Sequence, residues 1–177
     1  MIAASHGKFD QALLRQAFGQ FPSGVTAFCG VVDGRPDGMA ASSFTSVSLD
    51  PALVCVCVAN TSATWPRLAQ LPRLGLSVLA DEHGGVARSL ASKSADRFAD
   101  VDWHATEGGA VLVARSTLHL ECSVFNVLEA GDHKIVLLQI EALNLDQEAA
   151  PMVVHRSRFR QLTHVSPDSC SAGSGRH

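Results

Sequence analysis

The chain has 177 residues, enough for one domain with a single sizeable core. Hydrophobic residues make up 46% and charged ones 18%, which is a globular balance and not a disordered one. A net charge of −3 offers no electrostatic footprint for nucleic acid or an anionic membrane, and the longest apolar run, Leu53 to Ala59, falls far short of the roughly 20 residues of a membrane helix.

Taken in chain order, the first periodic element begins at Asp10. Phe9, Leu13, Leu14, Ala17, Phe18 and Phe21 recur at three- and four-residue steps, which predicts a helix with one apolar face. Asp10 is the expected N-cap and Phe9 a staple on Leu14, while Pro22, Ser23 and Gly24 end the helix. Val25 to Val32 reads as a strand closed by the turn-rich Asp33-Gly34-Arg35-Pro36. Further strands are expected over 44–49, over the buried run 53–58 and over 74–79. Leu118, Leu120, Cys122 and Val124 alternate with polar neighbours, and Gly131-Asp132 turns the chain so that 135–142 returns as a hairpin partner. A last short strand covers 152–154. Two more helices are predicted, from Ser62 to Gln70 with Pro66 in its first turn, and from Asp81 to Ala91 despite Gly84 and Gly85. About seven short strands with few helices indicate a mainly β domain over 1–162, an antiparallel barrel with peripheral helices. The polar, Gly- and Ser-rich tail from Thr163 is expected to be mobile.

Five cysteines, at 29, 55, 57, 122 and 170, form an odd set without a visible signal peptide, so reduced thiols and a cytoplasmic location are expected. Cys55 and Cys57 share one face of a strand, and the histidines are scattered singly, so no metal site is expected. GxGxxG after a strand, GxxxxGK[ST] and GxSxG are all absent. Any nucleotide must therefore be held by another architecture.

The informative stretch is GMAASSFTSVSLDP, residues 38–51. Ala40 and Ala41 permit close backbone approach, and Ser42, Ser43, Thr45, Ser46 and Ser48 supply donors and acceptors. Such a surface suits a flat hydrogen-bonding ring; the alternative is an edge strand with solvated hydroxyls. FPSGV at 21–25, NTSATW at 60–65 and GDH at 131–133 accompany it in order and spacing. Together these motifs resemble the flavin reductase-like family, the short-chain reductases of two-component flavin monooxygenases, over residues 8–162. The resemblance implies a split β-barrel, usually a homodimer. It also implies NAD(P)H-dependent reduction of FMN or FAD, with NADH or NADPH as hydride donor and a flavin-dependent monooxygenase as partner. A non-catalytic flavin store or sensor on the same barrel is the competing reading.

The resemblance places Met39, Ala40, Ala41, Ser42 and Ser43 along the flavin ring, with Ala40 standing where many relatives carry Thr. Cys57, Val58, Ala59 and Asn60 border the ribityl chain. Ser62 and Thr64 receive the phosphate at a helix N-terminus, a role compatible with Ser62 as a plain cap. The stretch 87–103 aligns with a loop beside the phosphate and brings Ser89 and Lys93, with Leu90 where Phe is common. Lys93 is the implied counter-charge, a solvated lysine being the alternative. Phe98 and Trp103 read as packing anchors. His133 is assigned to the nicotinamide as the catalytic residue, against a turn histidine bonded to Asp132. HRSRF at 155–159 implies that Arg156, Arg158 and Phe159 meet NAD(P)H, against an exposed basic strand end.

Overall fold

A computed structural model describes residues 9–94 and 96–163; the tail expected beyond, with Cys170, lies outside the described residues. Asp10 caps the first helix as expected, its carboxylate accepting from the Ala12 amide ahead of α1 (Gln11–Phe18). The helix is amphipathic, but no residue of it is buried. Phe18 and Phe21 are 70% and 79% exposed.

Strands β1 (Ser23–Gly24), β2 (Thr26–Val32) and β3 (Arg35–Ala41) follow. The turn between β2 and β3 is only Asp33-Gly34, with φ of 50° and 75°. Two positive-φ residues give the hairpin turn whose twist matches its strands. The expected turn had run on through Pro36, and only the resemblance placed Met39, Ala40 and Ala41 on a strand; the strand in fact begins at Arg35. It can do so because Pro36 lies on a sheet edge, where a missing amide costs no ladder bond.

Next come β4 (Thr45–Leu49), β5 (Ala52–Ala59), α2 (Trp65–Leu68), β6 (Leu74–Val78), a 3₁₀ turn (Asp81–His83) and α3 (Gly84–Ala91). The expected helix over 62–70 is thus a single turn with Pro66 in its first positions. Gly84 and Gly85 open α3, where their low helix propensity matters least. The remaining strands are β7 (Trp103–Ala105), β8 (Val111–Val113), β9 (Leu118–Ala130), β10 (His133–Leu145), β11 (Val153–His155) and β12 (Arg158–Arg160).

The main sheet is antiparallel with order β3-β2-β6-β9-β10-β5-β4, flanked by β1-β11-β12 and by the β7-β8 hairpin. Its two edge strands, β3 and β4, are consecutive in the chain and joined by residues 42–44 alone. So short a link forces the edges together, and the sheet curls without closing: a split barrel. Ser43 clamps the gap. Its hydroxyl accepts from the Cys57 amide at 2.8 Å and donates to the Cys57 carbonyl at 3.1 Å.

Two apolar clusters hold this frame. Phe28, Val54, Val56, Val58, Trp65, Leu76, Leu120 and Leu138 fill the inside of the main sheet, with Phe28 and Trp65 stacked at 6.0 Å. On the other face of β2, Ala27 and Cys29 pack with Leu79, Leu90, Phe98, Val111, Val113 and Met152. At Gly75 the β8 backbone crosses so closely that a Cβ would sit 2.0 Å from the Val111 carbonyl oxygen.

Candidate functional site

At the split between β3 and β5 lies a hollow of about 370 Å³. Met39, Ala40, Ala41, Ser42 and Ser43 form one wall, Cys57, Val58 and Ala59 the other, and Ser62 and His133 the ends. Of the thirteen residues assigned to the flavin from sequence, the fold brings these nine non-histidine ones to one depression. A second hollow of about 280 Å³ shares Ala40, Ala41 and Ser42 and adds Val25, Ala87, Arg88, Ala91 and Phe159. The Phe159 ring lies 5.7 Å from the Arg88 guanidinium, which covers it.

The wall is chemically open because β3 is a sheet edge. Gly38 turns its carbonyl outward to Arg97 and its amide to the Asp37 carboxylate. By the two-residue period of an antiparallel ladder, Ala40 turns its amide and carbonyl the same way, away from β2. An outward-facing peptide flanked by small side chains suits the polar edge of a flat ring, so the residues present fit a flavin.

The other assigned residues take distinct places. Asn60 stands at the end of β5, its amide donating to the Asp132 carbonyl and its side chain to the Gly131 carbonyl, which ties the β9–β10 turn to the hollow. Gly131 takes φ 69° in that turn. His133 pairs with Ala59 across β10 and β5 and is half exposed. Its Nδ1 lies 2.8 Å from the Asp132 carboxylate, and this partnership holds Asp132 below the ordinary carboxylate range. Ser62 accepts from the Trp65 amide at 3.2 Å. Thr64 is buried, its hydroxyl accepting from Arg97 at 3.0 Å. Ser89 faces away from the ring hollow and donates to the Arg97 carbonyl at 2.8 Å, closing the 89–97 loop. Lys93 is exposed and pairs with no other described residue. Arg156, at φ 51°, donates from Nε and Nη2 to Gln20, while Arg158 is exposed on β12.

Sequence reasoning left Arg97 without a role. It faces Asp37 at 3.6 Å, beside the Asp37–Arg67 pair at 2.5 Å, and its guanidinium joins the ring hollow to the Thr64 turn. Of the three basic residues in the aligned 87–103 stretch, Arg88, Lys93 and Arg97, the signal was that Arg97 alone directly precedes an aromatic, Phe98, which is buried. Phe98 and Trp103 do pack as anchors, edge to face at 6.4 Å. Burial pushes the Cys29 and Cys122 thiols up to about 12, and raises Cys55 with help from neighbouring Cys57. Among the described residues no three His, Cys, Asp or Glu side chains converge as a metal site. No described helix is long and apolar enough to cross a membrane.

A split barrel whose seam presents an open peptide edge, a serine-lined turn and a histidine defines a flavin-binding protein of the mainly β class. Residues 18–163 match the family described as flavin reductase like domain, and the chain belongs to that family. It is 39% identical over 165 residues, 90% of this chain and 88% of the relative, to an NADH-dependent FAD reductase of Streptomyces globisporus. It is 31% identical to the reductase subunit HsaB of a flavin-dependent monooxygenase from Rhodococcus jostii, over 90% of this chain and 80% of that one. Among solved structures it is similar to the Streptomyces globisporus C-1027 NADH:FAD oxidoreductase SgcE6 in complex with NAD and FAD fragments. There the TM-score is 0.83 and the identity 40%, covering 90% of this chain and 95% of that one.

Proposed function

We propose that the chain is an NAD(P)H:flavin oxidoreductase that passes reduced FMN or FAD to a partner flavin-dependent monooxygenase in the cytoplasm. The observation that carries this reading is the single hollow lined by Met39 to Ser43, Cys57 to Ala59, Ser62 and His133. The names of the relatives favour NADH and FAD as the working pair. A flavin bound there supplies the hydride chemistry, so no protein nucleophile is required.

The chain's own residues bind and orient. The outward peptide of Ala40 fixes the ring edge, Ser42 and Ser43 shape the wall beside it, and Cys57, Val58 and Ala59 exclude water from the opposite side. Ser62 and Thr64 bracket the phosphate position, with Arg97 supplying the positive charge. Asp132 holds His133 by Nδ1, leaving Nε2 as the ring atom that can meet a nicotinamide carboxamide. Phe159 walls the adjoining hollow, and Arg156 and Arg158 stand outside it as candidates for the NAD(P)H phosphates. Holding two reactive rings in register accounts for most of what such a protein must do.

We also propose a homodimer. The apolar face of α1, with Phe9, Leu13, Phe18 and Phe21, covers none of this chain's own core, and Phe125, Leu128, Leu143 and Leu145 lie exposed on the long hairpin. The deciding experiment is an activity grid on purified protein, NADH or NADPH against FMN or FAD, in air. Nicotinamide oxidation that saturates with added flavin is expected. If neither nicotinamide is consumed with either flavin, the reading fails.

A further inference from the structure

Little packing holds the tip of the β9–β10 hairpin. From Phe125 to Ala130 every residue of β9 is exposed, and the turn itself is two exposed residues, Gly131 and Asp132. Such a tip opens easily unless a neighbour ties it. The neighbour is Asn60. One step beyond Ala59 and His133, the ladder pair at this end of β5 and β10, the Asn60 amide donates to the Asp132 carbonyl at 2.9 Å. Its side chain reaches along the tip, and Nδ2 donates to the Gly131 carbonyl at 3.2 Å. One residue thereby meets both carbonyls of the turn.

Donors to successive carbonyls fix an orientation that a single bond would leave free to pivot. That orientation governs Asp132, whose carboxylate lies 2.8 Å from His133 Nδ1. Asn60 therefore acts on the histidine at one remove. The direction of its side chain also argues against the ribityl contact that the resemblance implied. Ala59 and Ser62 line the ring hollow on either side of it in the chain, yet Asn60 is not one of the walls, because its amide group is turned to Gly131.

We propose that Asn60 is a positioning residue for hydride transfer, holding the Gly131-Asp132 turn so that the His133 ring stays at the end of the hollow. This rests on the reading of His133 as the nicotinamide contact. The residue type fits the task, since the span calls for a short side chain that ends in a donor. Asp, at the same length, would present only an acceptor to the Gly131 carbonyl, and Ala would leave the backbone bond alone. Reaction between two held rings depends steeply on their alignment, so a loosened tip is felt as lost turnover with NADH.

A double-mutant cycle tests this, read with NADH at saturating flavin. Asn60→Ala is expected to lower kcat/KM for NADH roughly fivefold, the order of one lost neutral hydrogen bond. In a His133→Ala background the same substitution should change it less than about twofold, because no ring is left to position. Two measurements without turnover accompany the cycle. Calorimetry should find the flavin affinity of Asn60→Ala, which also reports folding, within about twofold of wild type. Amide exchange in the flavin-free variant should show residue 60, still bonded to the Asp132 carbonyl, exchanging about fivefold faster.

Equal losses in both backgrounds overturn the proposal, since Asn60 would then act apart from His133. So does a flavin affinity that falls together with kcat/KM, which would return Asn60 to the ribityl chain, and so does an unchanged exchange rate. If His133→Ala costs nothing while the wild type turns over, the reading of His133 fails and takes this proposal with it. If the wild type oxidises no nicotinamide, the reductase reading falls first and both follow.

Discussion

Arg97 donates to Thr64 at 3.0 Å from one guanidinium nitrogen while the other holds the Gly38 carbonyl at 2.7 Å. One side chain thereby ties the loop after α3 to the strand and turn on either side of the phosphate position. Arg97→Met would strip a charged partner from Thr64, Gly38 and Asp37 together, each such bond contributing ~1.5–3 kcal/mol in a partly buried setting. The flavin KM is expected to rise by at least about tenfold. Lys93→Met, at an exposed position four residues away, should change it less than about twofold. Steady-state flavin titrations of both variants check the contrast, and equal effects would return the counter-charge role to Lys93.

His133 sits at the hollow's end through two restraints, its ladder pairing with Ala59 and its bond to Asp132. His133→Ala should lower kcat/KM for NADH by roughly tenfold or more, the scale of one lost hydrogen bond to a charged or polarised group. Flavin affinity should hold, since the ring wall is built by β3 and β5. Asp132→Asn should give a smaller loss in the same direction. A fall in flavin binding that matches the fall in turnover would place His133 at the flavin instead.

Met39 to Ser43 lie in GMAASSFTSVSLDP, whose small and hydroxyl side chains suit a ring or a solvated edge strand alike, and it was the family resemblance that singled them out together with Cys57, Val58, Ala59, Ser62 and His133. The strand that carries the first half of that segment was legible only through the resemblance, which gave Met39 to Ala41 and not the start at Arg35. Pro36 and Gly38 suppress the strand signal locally, and only the edge position of β3 reconciles them with a ladder. The hairpin β9–β10 is 13 residues on each side, longer than its alternating stretch. Periodicity marks only the part packed on the core, while pairing holds the rest. The β7–β8 hairpin was missed because its strands are three residues each. Thr64 and Ser89 illustrate the limit at the site. Both were named as flavin contacts from their place in a motif, yet the Thr64 hydroxyl meets the Arg97 side chain, 33 residues away, and the Ser89 hydroxyl meets the Arg97 carbonyl within its own loop.

Cysteine chemistry offers a test of the hollow that does not depend on activity. Cys57 lines it, whereas Cys55 lies two residues along the same strand and outside it. Cys29 and Cys122 are buried thiols raised to about 12, so they stay protonated and unreactive at neutral pH. Alkylation of the native protein followed by peptide mapping should find Cys29 and Cys122 unmodified. FMN should slow modification of Cys57 and leave Cys55 at its own rate. Equal protection of both would argue for a general tightening and against a ligand seated at Cys57.

His83 gives the protein a pH dependence whose direction is fixed. Its ring is buried and its Nδ1 accepts the Ala80 amide at 3.1 Å, a bond that requires that nitrogen to be unprotonated. Burial lowers its pKa, and Arg115 and His119 act the same way, against Glu82 and Asp81. The unfolded chain, titrating near 6.5, then binds more protons than the folded one as pH falls, so stability is full above that value and declines below it. His83→Asn keeps an acceptor near the Nδ1 position but cannot titrate. The difference in Tm between wild type and variant should shrink from about pH 7 to pH 5, as thermal unfolding across that window will report.

The crossing of β8 over β6 makes the sharpest stability prediction. A methyl group on Gly75 would lie 2.0 Å from the Val111 oxygen, 2.7 Å from its carbon and 3.0 Å from its nitrogen, all of them backbone atoms that cannot rotate away. Gly75→Ala must push the two strands apart, and both are fully packed, with Leu74, Leu76, Val111 and Val113 in the cores on either side. A cost of ~3 kcal/mol is expected, or roughly 6–12 °C in Tm for a chain of this size. Gly85 is the matching control. It lies in the first turn of α3 with open space around its Cα, so Gly85→Ala should leave Tm unchanged or raise it by a few degrees, through better helix propensity. Thermal unfolding of the pair separates steric contact from glycine's backbone freedom. Similar shifts in both variants would show that β6 and β8 can part without cost.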